Sequence, residues 1–118
     1  MALAKDKRKE LETGVGQELI EEIVRRVRGV IEPDRIILFG SAAAGRMTRD
    51  SDIDLLILEA NPENIFDRRV RIGNALGGLG FAFDIIVMAT ERFEESKGVI
   101  GGLAYPANKY GKVIYAAA

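Results

Sequence analysis

The hydrophobic pattern changes period several times along the chain, and each change marks an element. From about Gln17 to Ile31 the residues Leu19, Ile20, Ile23, Val24, Val27, Val30 and Ile31 recur at helical spacing, with Glu21, Glu22, Arg25, Arg26 and Arg28 opposite. This predicts an amphipathic helix that Pro33 ends. Arg35 to Phe39 is apolar after its first residue, as a central strand would be. Gly40 breaks it. Ser41 to about Arg46, with three alanines, predicts a short helix capped by Ser41. Arg46, Thr48, Arg49, Asp50 and Ser51 form a polar loop, and Ile53 to Leu58 reads as a second strand.

A helix is then expected from Glu63 or Asn64 to about Leu76, stopped by Gly77, Gly78 and Gly80. Its basic residues Arg68, Arg69 and Arg71 read as a solvent face or partner surface. Phe81 to Met88 predicts a third strand. Thr90 is expected to cap a fourth helix running to about Lys97. Residues 103–110 can make one more helical turn, and Lys112 to Tyr115 a terminal strand. Residues 1–13 are a charged lead-in, either a frayed helix or partly disordered. The alternation predicts a single α/β (α+β) domain over residues 1–118 with one mixed β-sheet.

Composition narrows the chemistry. Among 118 residues there is no Cys and no His, which removes disulfides, thiolate sites, Ser-His triads and His-ligated zinc. Catalysis would have to run on carboxylates, Lys, Tyr, Ser or a hard metal held by oxygen. The net charge of −1 disfavours duplex nucleic acid as the main partner. No apolar run is long enough for a membrane, and the N-terminus turns charged at once, so a cytoplasmic protein is expected.

The demanding residues cluster around the first two strands. Gly40 and Ser41 lie where the first ends; Asp52 and Asp54 lie where the second begins. About a dozen residues separate the strands, near the lower limit for a parallel crossover. An antiparallel pairing would bring both motifs to one end of the sheet. Residues two apart on a strand share a face, so Asp52 and Asp54 converge while Ile53, Leu55 and Ile57 point the other way. Paired carboxylates repel unless a cation lies between them, and with oxygen ligands that cation is Mg²⁺ or Mn²⁺. A bare Asp-x-Asp is more often a turn cap followed by a solvated strand residue. Asp84 stands among apolar residues in the third strand and needs a cation, a partner or an open cleft. It is read as a third ligand, or else as an exposed edge-strand residue. Gly40 lets a phosphate approach the backbone, and Ser41 can bond a phosphate oxygen. Arg46 and Arg49 can hold a triphosphate or simply be solvated.

Together, Gly40-Ser41, Ser51-Asp52-Ile53-Asp54-Leu55 and the later Asp84 resemble the DNA polymerase beta-type nucleotidyltransferase superfamily, closest to its minimal nucleotidyltransferase (MNT) branch. The resemblance spans roughly residues 19 to 95. It implies a nucleotidyltransferase fold and transfer of a nucleoside monophosphate from a triphosphate such as ATP to an acceptor hydroxyl. It implies that Asp52 and Asp54 bind metal, that Asp84 is a further ligand or base, and that Gly40 and Ser41 grip the triphosphate; Arg46, just beyond that turn, and Ser51, just before Asp52, are further candidates to meet the nucleotide. Family members often carry basic residues between the Gly-Ser and the next glycine; here Ala42, Ala43 and Ala44 fill that interval. An acceptor surface would come from a second copy or another protein. Minimal relatives commonly pair as antitoxins with a HEPN-type toxin, which some of them modify with AMP. The other reading of this family is a catalytically weak or inactive nucleotide-binding module that neutralises its partner by binding. An Asp-x-Asp glycosyltransferase is a third reading, disfavoured by the short chain and the Gly-Ser turn.

Overall fold

A computed structural model describes residues 15–47 and 51–118. The expectations for residues 1–13, and for Thr48, Arg49 and Asp50 in the loop, lie outside the described residues. The order is α1 (Gln17–Arg28), β1 (Arg35–Phe39), α2 (Gly40–Ala43), β2 (Ile53–Glu59), α3 (Ile65–Ala75), β3 (Phe83–Ala89), α4 (Thr90–Ser96), α5 (Ala104–Tyr110) and β4 (Lys112–Ala116).

The four strands form one mixed sheet in the order β3-β2-β1-β4. β1 runs antiparallel to β2 and to β4, while β2 and β3 are parallel. The predominantly apolar β1 and β2 are the two central strands, as long apolar runs require of strands covered on both faces. α3 lies in the crossover that a parallel β2–β3 pair demands.

Strand alternation divides the core in two. Ile36, Leu38, Ile53, Leu55, Ile57, Ile85 and Val87 join Ile20, Ile23 and Val27 of α1 and Ile72 of α3 on one face. Ile37, Leu56 and Leu58 meet Phe93 of α4 and Ala104 and Ala107 of α5 on the other. Each large apolar side chain removed from water in this way contributes about 1.5–3 kcal/mol. Arg26 fastens α1 to the end of α3, its Nη1 donating to the carbonyls of Ala75 at 3.2 Å and Gly77 at 2.9 Å. No helix among the described residues is long and apolar enough to cross a membrane.

Several local expectations are corrected. α1 ends at Arg28, with Gly29 as its cap, because glycine's backbone freedom disfavours continuation to Ile31. Ser41 does not cap α2: the cap is Phe39, two residues earlier, and Ser41 lies inside the helix. Thr90 likewise opens α4 rather than capping it, and its hydroxyl donates to Asp34 Oδ2 at 2.5 Å. β3 starts at Phe83, two residues later than expected, after the glycine turn. Asn64 does cap α3, accepting from the Asp67 amide at 2.9 Å. The three arginines of α3 are engaged. Arg68 bonds Glu59 at 3.0 Å, Arg69 donates to the Ile85 carbonyl at 3.0 Å, and Arg71 pairs with Asp67 at 3.2 Å.

Candidate active site

The antiparallel pairing of β1 with β2 returns the chain to the end of the sheet where β1 stops. Phe39 pairs with Asp54, and Asp54 pairs with Asp84 on β3. Directly paired residues project to the same face, so Phe39, Asp54 and Asp84 form a row across three strands. Adjacent strands lie about 4.8 Å apart, which makes the two carboxylates immediate neighbours. Asp52 precedes the first residue of β2 and is exposed. Leu56 and Leu58 continue the Asp54 face into the α4–α5 layer, while Ile53, Leu55 and Ile57 enter the α1–α3 layer. The sequence-based division of β2 into two faces therefore holds.

Gly40 stands against Asp54. Its φ is +69°, and a Cβ built on it would fall 2.1 Å from Asp54 Oδ2. Only glycine fits this combination of left-handed backbone and close approach. The Asp54 carboxyl is half-buried and is pushed above its ordinary value, first by burial, then by the charges of Asp84 and Asp52. No cation among the described residues counters these influences.

The turn after β1 is compact. Ser41 Oγ donates to Met47 Sδ at 3.9 Å, and the Arg46 amide donates to the Ser41 carbonyl at 2.9 Å. Gly45 takes a φ of +73°. Ala42 and Ala43 are buried in the core, whereas Ala44 is exposed. Thus two of the three alanines after Ser41 are packing positions. Gly40, Ser41 and Arg46 line one cavity of about 580 Å³ with Phe39, Ala44, Pro106 and Tyr110. Ser51 lies just ahead of Asp52 at the approach to β2.

Asp84 corrects one step of the sequence argument. It is exposed because β3 is an edge strand, so it bears no burial penalty demanding a cation. What singles it out is its register against Asp54. As placed, no group of three or more carboxylates among the described residues converges tightly enough to hold one metal ion. The candidate ligands at this end of the sheet are nevertheless carboxylates, and a carboxylate pair with no cation between its members among the described residues suits a hard divalent ion.

Sequence reasoning missed Pro106 and Tyr110. Nothing local distinguishes them, since only the packing of α5 on β1 brings them beside Gly40.

Solved structures of similar fold include the following three. A toxin–antitoxin crystallised with AMP-PNP is 23% identical, with a TM-score of 0.65 over 83% of this chain and 73% of that one. A mutant of the toxin–antitoxin MntA-HpeT is 20% identical, with a TM-score of 0.63 over the same shares of the two chains. A Sulfolobus solfataricus protein described as a candidate nucleotidyltransferase is 24% identical, with a TM-score of 0.54 over 81% and 76%. At these identities the likeness is one of fold. No curated protein sequence matches the chain. The sequence profile of the nucleotidyltransferase domain matches residues 17–104, a span that runs from α1 to the start of α5 and includes Gly40, Asp52, Asp54 and Asp84. The chain belongs to the nucleotidyltransferase domain family.

Proposed function

We propose that the chain is a metal-dependent nucleotidyltransferase that transfers a nucleoside monophosphate, AMP from ATP, to a hydroxyl of a partner protein. We place it as the antitoxin of a toxin–antitoxin pair whose other member is a helical HEPN-type protein. The observation that carries the chemistry is the row in which Asp54 faces Asp84 on a neighbouring strand while Gly40 closes against the Asp54 carboxylate. The toxin–antitoxin structures of similar fold, one with AMP-PNP, support the biological role.

In this reading Asp52 and Asp54 hold Mg²⁺ or Mn²⁺, with Asp84 as a further ligand or base. The ion supplies charge neutralisation on the triphosphate. Gly40, Ser41, Arg46 and Ser51 position the phosphates. The acceptor oxygen attacks the α-phosphorus in line, and the bond from that phosphorus to the bridging oxygen breaks. Pyrophosphate leaves, and the acceptor's proton passes to a carboxylate, for which Asp84, exposed and beside Asp54, is best placed. The test incubates the protein with labelled ATP, Mg²⁺ and the protein encoded beside it. Label should appear on the partner. Equal labelling by wild type and Asp52→Ala/Asp54→Ala would sink the reading.

One observation favours a second reading. Ala42 and Ala43 are packed into the core and bring no charge to the turn. A catalytically weak module that neutralises its partner by covering it fits a turn built this way. Complex formation and neutralisation that survive in the double Asp variant, with no labelling by wild type, would select that reading.

A further inference from the structure

We propose that the cavity between the end of β1 and α5 holds the base and ribose of the nucleotide, with Phe39 and Tyr110 as its aromatic walls. The inference rests on the nucleotidyltransferase reading and adds to it the residues that meet the uncharged part of the substrate.

The cavity has two kinds of wall. Ser41 and Arg46 lie on the side of the Gly40 turn, and Phe39, Pro106 and Tyr110 make an apolar side. Its volume of about 580 Å³ falls in the usual range for small-ligand sites. A nucleotide has the same division, a flat base that stacks on rings and an anionic tail that needs donors. Phe39 links the cavity to the carboxylates, since it pairs with Asp54 in the row that continues to Asp84. A base against Phe39 and Tyr110 therefore leaves its phosphates at Gly40 and Ser41, on the path to Asp54.

The far wall is fixed in place. Gly111, next to Tyr110, packs so closely that a Cβ there would fall 2.3 Å from the Ala107 carbonyl and 2.7 Å from Ile37 Cγ2. The end of α5 is thereby pressed onto β1. Lys109 Nζ lies 5.5 Å from the centre of the Tyr110 ring, a cation–π contact that steadies it. Tyr110 is nonetheless 65% exposed, a ring held at the surface beside a cavity.

Calorimetric titration of the whole chain with Mg²⁺-ATP and with Mg²⁺-tripolyphosphate tests the assignment. Wild type should bind ATP about tenfold or more tightly than tripolyphosphate, as stacking of one base allows. Tyr110→Ala should lose about that factor for ATP and none for tripolyphosphate, while Tyr110→Phe keeps both affinities. A Tyr110→Ala protein that binds ATP like wild type, or loses both ligands alike, overturns the subsite. So does a wild type that binds the two ligands equally. A wild type that binds neither overturns the nucleotidyltransferase reading itself, and the subsite with it.

Discussion

Gly40 and Asp54 occupy one space: a Cβ on the glycine would lie 2.1 Å from the carboxylate oxygen Oδ2. The glycine is thus a condition for where the carboxylate sits. Gly40→Ala should cost about 1–2 kcal/mol for the left-handed backbone alone, and more for displacing Asp54. Combining it with Asp54→Ala removes the carboxylate and leaves only the backbone share. Thermal or urea unfolding of the two single variants and the double would show the cost of Gly40→Ala shrinking in the Asp54→Ala background. An undiminished cost would mean that the backbone strain is the whole effect.

Asp54 faces Asp84 across a parallel register, and no cation among the described residues influences its charge. Asp54→Asn should therefore stabilise the metal-free protein by about 0.5–1 kcal/mol while abolishing transfer. The sign with pH follows from the direction of the shift. A carboxyl raised above 3.8 in the folded state stabilises the fold when protonated. That contribution is present below the ordinary value and lost as pH rises through the raised one. Melting of both proteins in EDTA across pH 4 to 8 should show this slope in wild type and not in the Asn variant. Added Mg²⁺ should raise the wild-type midpoint more than the variant's.

What the sequence made legible, and what it did not, separates along the range of the interactions. Helix α1 and strands β1 and β2 follow from local periodicity. The opposite facing of Asp54 and Leu55 follows from the two-residue repeat of a strand. The exposure of Asp84 does not, because sheet order is decided by pairing between distant segments, and only that order makes β3 an edge. Ser41 and Thr90 looked like caps by residue type, yet the caps are Phe39, two residues sooner, and Ala89, one residue sooner. The cavity wall at Tyr110 was out of reach, since α5 meets β1 only through tertiary packing.

At the end of the sheet away from the carboxylates, Thr90 Oγ1 donates to Asp34 Oδ2, and the Asp34 backbone bonds Leu58 at 2.7 Å and Ala117 at 2.8 Å. This joins α4 to the start of β1. Thr90→Val keeps the shape of the side chain and removes the donor to a charged acceptor. It should cost about 1.5–3 kcal/mol of stability and leave nucleotide affinity unchanged. Urea unfolding and calorimetry on the same variant check the two halves independently.

Glu22 bonds both Arg25 and Arg26, and the hydrogen bonds to those guanidiniums, Arg25 first, hold its carboxyl down at about 2. A lowered carboxylate stabilises the fold above its ordinary value of 4.5 and loses that contribution as pH falls toward about 2. The group is at the surface, where water and salt screen the pair, so the effect should be small. Glu22→Gln should melt slightly below wild type at pH 7, and the difference should close between pH 4.5 and about 2. A gap that persists into acid would assign the loss to packing rather than charge.

The alanines after Ser41 give unequal opportunities to restore a grip on phosphate. Ala42 and Ala43 are 0% and 3% exposed, so a lysine at either position would place an unpaired charge in the core and destabilise the fold by several kcal/mol. Ala44 is exposed, follows the short helix and lines the same cavity as Ser41 and Arg46. Ala44→Lys should leave the melting temperature near wild type and strengthen Mg²⁺-ATP binding several-fold, with tripolyphosphate gaining by the same factor because the new charge meets only phosphate. Salt should erase most of the gain, as expected of an exposed ion pair. A variant that folds normally yet binds both ligands no better than wild type would show that the phosphates do not pass over the turn that follows Gly40.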